Sequence, residues 1–127
     1  MKKNVTGTFD VKMTPQGAPD AAVGRMSLAK EFHGALEATS VGEMLAIRAD
    51  KGSAGYVAME RVTGTLDGRK GSFALQHSGT MTRGAGGLTV TVVPDSGTEE
   101  LASLSGKMGI EVTGGKHSYT FDYEMAE

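Results

Sequence analysis

The sequence predicts an all-β protein, an antiparallel barrel of about eight strands with one short helix, and three observations carry that prediction. Apolar and polar residues alternate with period two in most segments, from Phe9, Val11 and Met13 to Tyr119 and Phe121, as half-buried strands do. Two dipeptides, Asp67-Gly68 and Gly114-Gly115, are hairpin turns, because a two-residue turn of this type needs positive φ at both positions. Glycine supplies 19 of 127 residues and proline only 3, a composition of many tight turns and few strand breakers. The chain, 1–127, reads as a single domain with one core.

The elements follow in order. Phe9, Val11 and Met13 alternate with Thr8, Asp10 and Lys12 in a first strand. The segment MTPQGAPDAAVG, with two of the prolines and two glycines, reads as a loop. From Arg25 to Thr39, Met26, Leu28, Phe32 and Leu36 share one strand face, with Lys30 and Gly34 between them. A helix from Ala21, capped by Asp20, is the competing reading there; strand is favoured because these apolar residues form no clean helical stripe. Met44 to Ala49 and Ala54 to Tyr56 flank Asp50-Lys51-Gly52-Ser53 as a further hairpin.

Folding at Asp67-Gly68 sets Val62 opposite Phe73, Glu60 opposite Leu75, and Ala58 opposite His77 on an apolar face. A one-residue slip would mix the faces, so the pattern specifies the register. Leu88, Val90 and Val92 form another strand after the Arg83 to Gly87 turn. Ser96 followed by Glu99 matches a capping box, predicting a short helix near Thr98–Leu104 with Leu101 and Leu104 on one side. Gly114-Gly115 pairs Ile110 with Tyr119 and Met108 with Phe121. Long hairpins with one apolar face each build a sandwich or a barrel. Closure is preferred because these strands carry few of the prolines and inward charges that protect edges.

Composition excludes several classes of function. A net charge of -2 gives no footprint for nucleic acid or an anionic membrane. The absence of cysteine removes disulfide, thiolate and iron–sulfur chemistry. No run approaches the roughly 20 apolar residues of a spanning helix, and the start, MKKNVTGTFD, has no apolar signal core. The expectation is a cytoplasmic protein.

The blocks LEATSVGEML, AGYVAMERVTGTLDGRKGSFALQHSGTM, LTVTVVPDSGTEELASLSGKM and HSYTFDY, spread from about Thr6 to Tyr123, resemble the bacterial domain-of-unknown-function family 3224. The resemblance implies a barrel like that of allene oxide cyclase and no established activity.

The residues nominate one internal site. The Asp67-Gly68 register makes Glu60 and His77 diagonal neighbours on the apolar face, within side-chain reach. Burying a carboxylate beside Val62, Phe73, Leu75 and Tyr56 is costly without a partner or ligand. The pair is therefore the candidate catalytic or ligand-orienting unit, with Glu60 either raised in pKa or charge-paired. A satisfied internal polar pair is the structural alternative. Tyr56, Phe73 and Tyr119 are the expected apolar or amphipathic lining. Glu37 joins them if a bulge at Gly34 reverses the strand phase; otherwise Glu37 and His33 lie on a solvated outer face. His117 belongs at the rim. Three histidines without Cys or an H-E-x-x-H spacing predict no metal site, and no cofactor is expected. Gly84 to Gly87 is read as turn chemistry, since no helix follows to bind phosphate. The methionines are read as core filling.

Two functions fit. The first is a small-molecule-binding barrel for an apolar or amphipathic ligand, with an internal Glu/His pair and, by fold analogy alone, isomerase- or cyclase-like chemistry. The second is a non-enzymatic module whose barrel is filled and whose outer face, through Val57, Met59, Ala74 and Val93, makes a homo-oligomer.

Overall fold

The computed structural model describes residues 1–126. Eight antiparallel strands run in chain order, each pairing with the next, and the last returns to the first to close a barrel. They are β1 (Lys2–Gln16), β2 (Gly24–Gly34), β3 (Leu36–Arg48), β4 (Ala54–Leu66), β5 (Arg69–Thr82), β6 (Ala85–Val92), β7 (Ser105–Thr113) and β8 (Lys116–Glu124). Among the described residues no helix is long and apolar enough to cross a membrane.

Turn chemistry explains most of the connectivity. Lys51-Gly52, Asp67-Gly68, Arg83-Gly84 and Gly114-Gly115 all hold both residues at positive φ, between 47° and 87°. Turns of that hand match the twist of the strands they join. The Asp67-Gly68 hairpin pairs Glu60 with Leu75 and Ala58 with His77, and the Gly114-Gly115 hairpin pairs Ile110 with Tyr119, both in the register read from the sequence.

Three local expectations change. The first strand extends through Pro15 to Gln16, so the loop is only residues 17–23; Pro15 stands opposite Met26 at the far end of the ladder. Arg25 to Thr39 is strand, but split at Gly34 (φ 113°) into β2 and β3. The short helix is a single 3-10 turn, Glu99–Leu101, and the Thr98 side chain makes no capping hydrogen bond to the turn's own backbone. The capping box fails because Ser96 is used elsewhere: its Oγ accepts from the Ala74 N–H at 3.0 Å and donates to the Val93 carbonyl at 2.7 Å.

That turn closes one end of the barrel. Leu101 and Leu104 are buried against the lower core, which contains Leu36, Leu66, Phe73, Phe121, Tyr123 and Met125. Gly71 admits them, since a Cβ there would lie 2.3 Å from the Thr98 carbonyl and 3.1 Å from Leu101. The same connection covers Ala74, which is 9% exposed instead of facing solvent. The other end carries the residue 17–23 loop and the β3–β4, β5–β6 and β7–β8 turns. Met13, Met81, Leu88 and Val112 remain exposed there, although each stands opposite an inward-facing residue or shares its phase.

Candidate functional site

Four consecutive strands send one polar side chain each into the barrel. Lys30 of β2, Ser40 of β3, Glu60 of β4 and His77 of β5 are 7%, 3%, 2% and 4% exposed. The period-two phase of each strand puts them inside: Lys30 lies between Leu28 and Phe32, and Glu60 between Ala58 and Val62. Glu60 is the hub. Lys30 Nζ donates to its Oε2 at 2.8 Å, Ser40 Oγ donates to Oε1 at 2.8 Å, and His77 Nε2 sits 2.5 Å from Oε2. Gly42, directly opposite Glu60, leaves space for that carboxylate's stem; a Cβ there would fall 2.7 Å from Glu60 Cβ. The ammonium of Lys30 also lies over two aromatic faces, 5.0 Å from the Phe9 centroid and 5.8 Å from that of Phe32, a favourable placement for a cation.

Electrostatics fix the state of the hub. Burial pushes the Glu60 carboxyl up, but the His77 hydrogen bond and the Lys30 charge and hydrogen bond together outweigh it and hold the group down at about 2. Glu60 is therefore an anion at neutral pH, and His77 presents its Nε2 as an N–H donor to it. Nδ1 of His77 has no hydrogen-bonding partner among the described residues.

Tyr56 stands between this cluster and the open end. Its ring is 6.4 Å from that of His77 and lies across Gly79, where a Cβ would meet it at 2.4 Å. Burial, and then the Glu60 charge, raise the Tyr56 hydroxyl's pKa. Beyond Tyr56 a cavity of about 590 Å³ opens, lined by Tyr56, Gly79, Met81, Leu88, Gly109 and Ile110 among others. Its origin is a defect in the barrel wall. β6 and β7 pair through only two residue couples, Val90 with Met108 and Thr91 with Lys107, and above them the strands diverge. A Cβ at Gly86 or Gly87 would meet nothing within 4 Å, so the glycine run read as turn chemistry also leaves this gap unfilled. A second hollow, about 600 Å³, runs outside the barrel along Lys2 to Asn4 and Lys107, away from the cluster.

The expected site residues separate by height along the barrel axis. Glu60 and His77 meet at mid-barrel, and Tyr56 sits above them. Phe73 and Tyr119 do not line the cavity. Phe73 is 1% exposed and stacks on Phe121 with centroids 6.0 Å apart. The Tyr119 hydroxyl accepts from the Leu36 N–H at 3.0 Å and donates to the His33 carbonyl at 3.1 Å, clamping the β2–β3 turn. Phase alone placed these side chains inside; it carried no information on height. Glu37 lies outside. The chain turns at Gly34 and Ala35 without reversing the phase, so Leu36 and Ser40 face inward while Glu37 accepts from the Gly34 N–H at 2.8 Å. His33 is half exposed, 3.6 Å from both Asp10 and Glu37; with Asp10 and Glu31 it forms an exposed group of possible ligand atoms within 4.8 Å of one another. His117 packs its ring on Phe9, 5.1 Å between centroids.

The comparisons with known proteins give a family without an activity. A family model described as "Protein of unknown function (DUF3224)" matches residues 5–123. A crystal structure of a protein of unknown function from the DUF3224 family of Shewanella oneidensis MR-1 superposes with a TM-score of 0.92 at 49% identity, covering 100% of both chains. No curated protein matches.

Proposed function

The chain belongs to the DUF3224 family, proteins of unknown function, and from that premise we propose that it is a small-molecule-binding barrel taking an apolar or amphipathic ligand at its open end. One observation carries the reading: the barrel is plugged by Leu101 and Leu104 at one end, while at the other the split between β6 and β7 leaves an apolar cavity lined by Tyr56, whose ring separates it from the buried charged cluster. A concave, mostly apolar space with a few convergent polar groups is the usual form of a ligand site. Its volume falls within the roughly 300–1,000 Å³ of such pockets. The Glu60–His77 couple supplies what an acid–base step would need, an imidazole oriented by a fixed carboxylate. Isomerase- or cyclase-like chemistry, suggested by the resemblance to the allene oxide cyclase barrel, rests on fold analogy alone.

Titration with Nile red, a neutral apolar dye, tests the reading. The expected result is saturable one-to-one binding that Leu88→Arg abolishes; because Leu88 is 43% exposed, the substitution should leave folding intact. Binding unaffected by Leu88→Arg, or no binding, would overturn it.

A second reading has its own observation. Val41, Leu45, Ile47, Val57 and Met59 stand 45–67% exposed on the outer side of β3 and β4, side by side in the ladder, around the exposed Arg25–Glu43 pair. In this reading the outer face joins a second copy of the chain in a homo-oligomer and the barrel is a structural module.

A further inference from the structure

We propose that the open end takes an extended, uncharged peptide segment, added as a strand antiparallel to the free edge of β6 with its apolar side chains pointing into the cavity. The inference rests on the ligand-binding reading above and names the class of ligand.

The hydrogen-bond phase of two strands leads to this edge. In an antiparallel ladder, pairs that exchange both backbone bonds alternate with pairs that exchange none. The pair closing a two-residue hairpin is of the bonded kind. At the Arg83-Gly84 turn that pair is Thr82 with Ala85, followed by Thr80 with Gly87 and Ser78 with Thr89. Those residues bond to β5, so Gly86, Leu88 and Val90 turn their N–H and C=O groups toward β7. The same count from Gly114-Gly115 commits Thr113, Glu111 and Gly109 to β8 and turns Val112, Ile110 and Met108 toward β6. Val90 meets Met108, as this phase requires, and the pairing goes no further toward the open end. Continued, it would join Leu88 to Ile110 and Gly86 to Val112. Because the strands diverge, each of these residues keeps a donor and an acceptor that no backbone group of the ladder or turns meets among the described residues. A closed barrel normally leaves no such edge.

Spacing and surroundings select the ligand. Gly86 and Leu88 offer donor–acceptor couples two residues apart, roughly 7 Å along the strand. An extended peptide repeats its own couples at that interval, and strand addition is a common mode of peptide capture. Access is open: β6, Ala85–Val92, has no proline and no charged residue, and a Cβ at Gly86 or Gly87 would meet nothing within 4 Å. Leu88 shares its phase with the buried Val90 and Val92. Directly paired residues in an antiparallel ladder present their side chains on one face, so the peptide residue opposite Leu88 points into the barrel. There it meets Tyr56, Met81 and Ile110 in a lining without a charged residue, which calls for an apolar side chain. Its neighbours in the peptide point to solvent.

The probe is acetyl-Ser-Val-Thr-Val-Ser-amide, titrated calorimetrically beside the same peptide N-methylated at both valines. The methyl groups remove the two N–H donors that would face β6 and keep every side chain. The unmodified peptide is expected to bind saturably, at least tenfold more tightly than the methylated one, and to displace Nile red. Leu88→Pro removes an N–H that serves no bond to β5, a position where a strand tolerates proline. It should weaken the peptide at least tenfold while Nile red affinity stays within about threefold. If that variant does not fold, the two peptides decide alone. Equal binding of both peptides, undiminished peptide binding by folded Leu88→Pro, or no peptide binding beside saturable Nile red binding would overturn this inference and leave the binding barrel standing. If neither dye nor peptide binds, the binding barrel and this inference fall together.

Discussion

A buried carboxylate needs partners in proportion to its isolation, and Glu60 has three: Lys30, Ser40 and His77. Removing one charged partner while its mate stays buried typically costs about 3–5 kcal/mol, so Lys30→Met alone should destabilise on that scale. Replacing Lys30 and Glu60 together by apolar residues of similar volume should cost much less, and chemical denaturation of the single and double variants measures the difference. The pH dependence has a defined sign. A carboxyl held down at about 2 from 4.5 contributes stability that is fully present above pH 4.5 and is lost as pH falls from 4.5 toward 2. The loss is on the order of 3 kcal/mol by linkage. Glu60→Gln should flatten unfolding midpoints across that window, whereas an unchanged slope would show that other carboxylates carry the acid sensitivity. Half of this cluster was legible beforehand. Glu60 and His77 follow from one turn and its register. Lys30 sits in the same phase as Met26, Leu28 and Phe32, and a lysine in an inward phase is itself the sign of a buried counter-charge. Nothing local, however, linked that strand to β4, because the cluster closes across β3.

Elements are held by their ends. The Glu99–Leu101 turn works as a plug: the Thr98 N–H donates to the Ser72 carbonyl at 2.9 Å, Thr98 Oγ1 accepts from the Ser72 N–H at 3.0 Å, and Leu101 is 1% exposed. Truncating a buried leucine typically costs about 2–5 kcal/mol, so Leu101→Ala should lower the thermal midpoint. Being at the opposite end from the cavity, it should leave Nile red affinity within about twofold at temperatures where the variant is folded. A parallel loss of dye binding would mean that plug and cavity form one unit. The plug was only partly readable. Ser96 and Glu99 match a capping box, yet the nearest acceptors and donors for Ser96 lie on β5 and in its own turn, and such tertiary competition is invisible in a local motif. At the β2–β3 turn, Gly34 marked a break without telling a bulge from a turn; the Tyr119 clamp on Leu36 and His33 comes from 83 and 86 residues away.

At the scale of the molecule, the closed barrel follows from consistent hairpins, but the cavity does not. It depends on how few residues of β6 and β7 pair, a property of two strands meeting across a 12-residue connection. The outer apolar face of β3 and β4 belongs to this scale as well. It should show itself as self-association in sedimentation at high micromolar concentration, abolished by Val57→Lys with Met59→Lys; a 13.2 kDa species throughout would contradict it.

The methionines offer the most direct test, because they report from distinct regions. Met81 lines the cavity, Met59 stands on the outer face at 50% exposure, and Met125 is buried at the plugged end. Spectra of protein carrying 13C-labelled methionine methyl groups, assigned by single Met→Leu variants, should be recorded with and without saturating Nile red. The account predicts that the Met81 methyl resonance moves while those of Met59 and Met125 stay fixed. Movement of Met59 with Met81 unchanged, or no movement at all, would contradict a ligand site at the open end of this barrel.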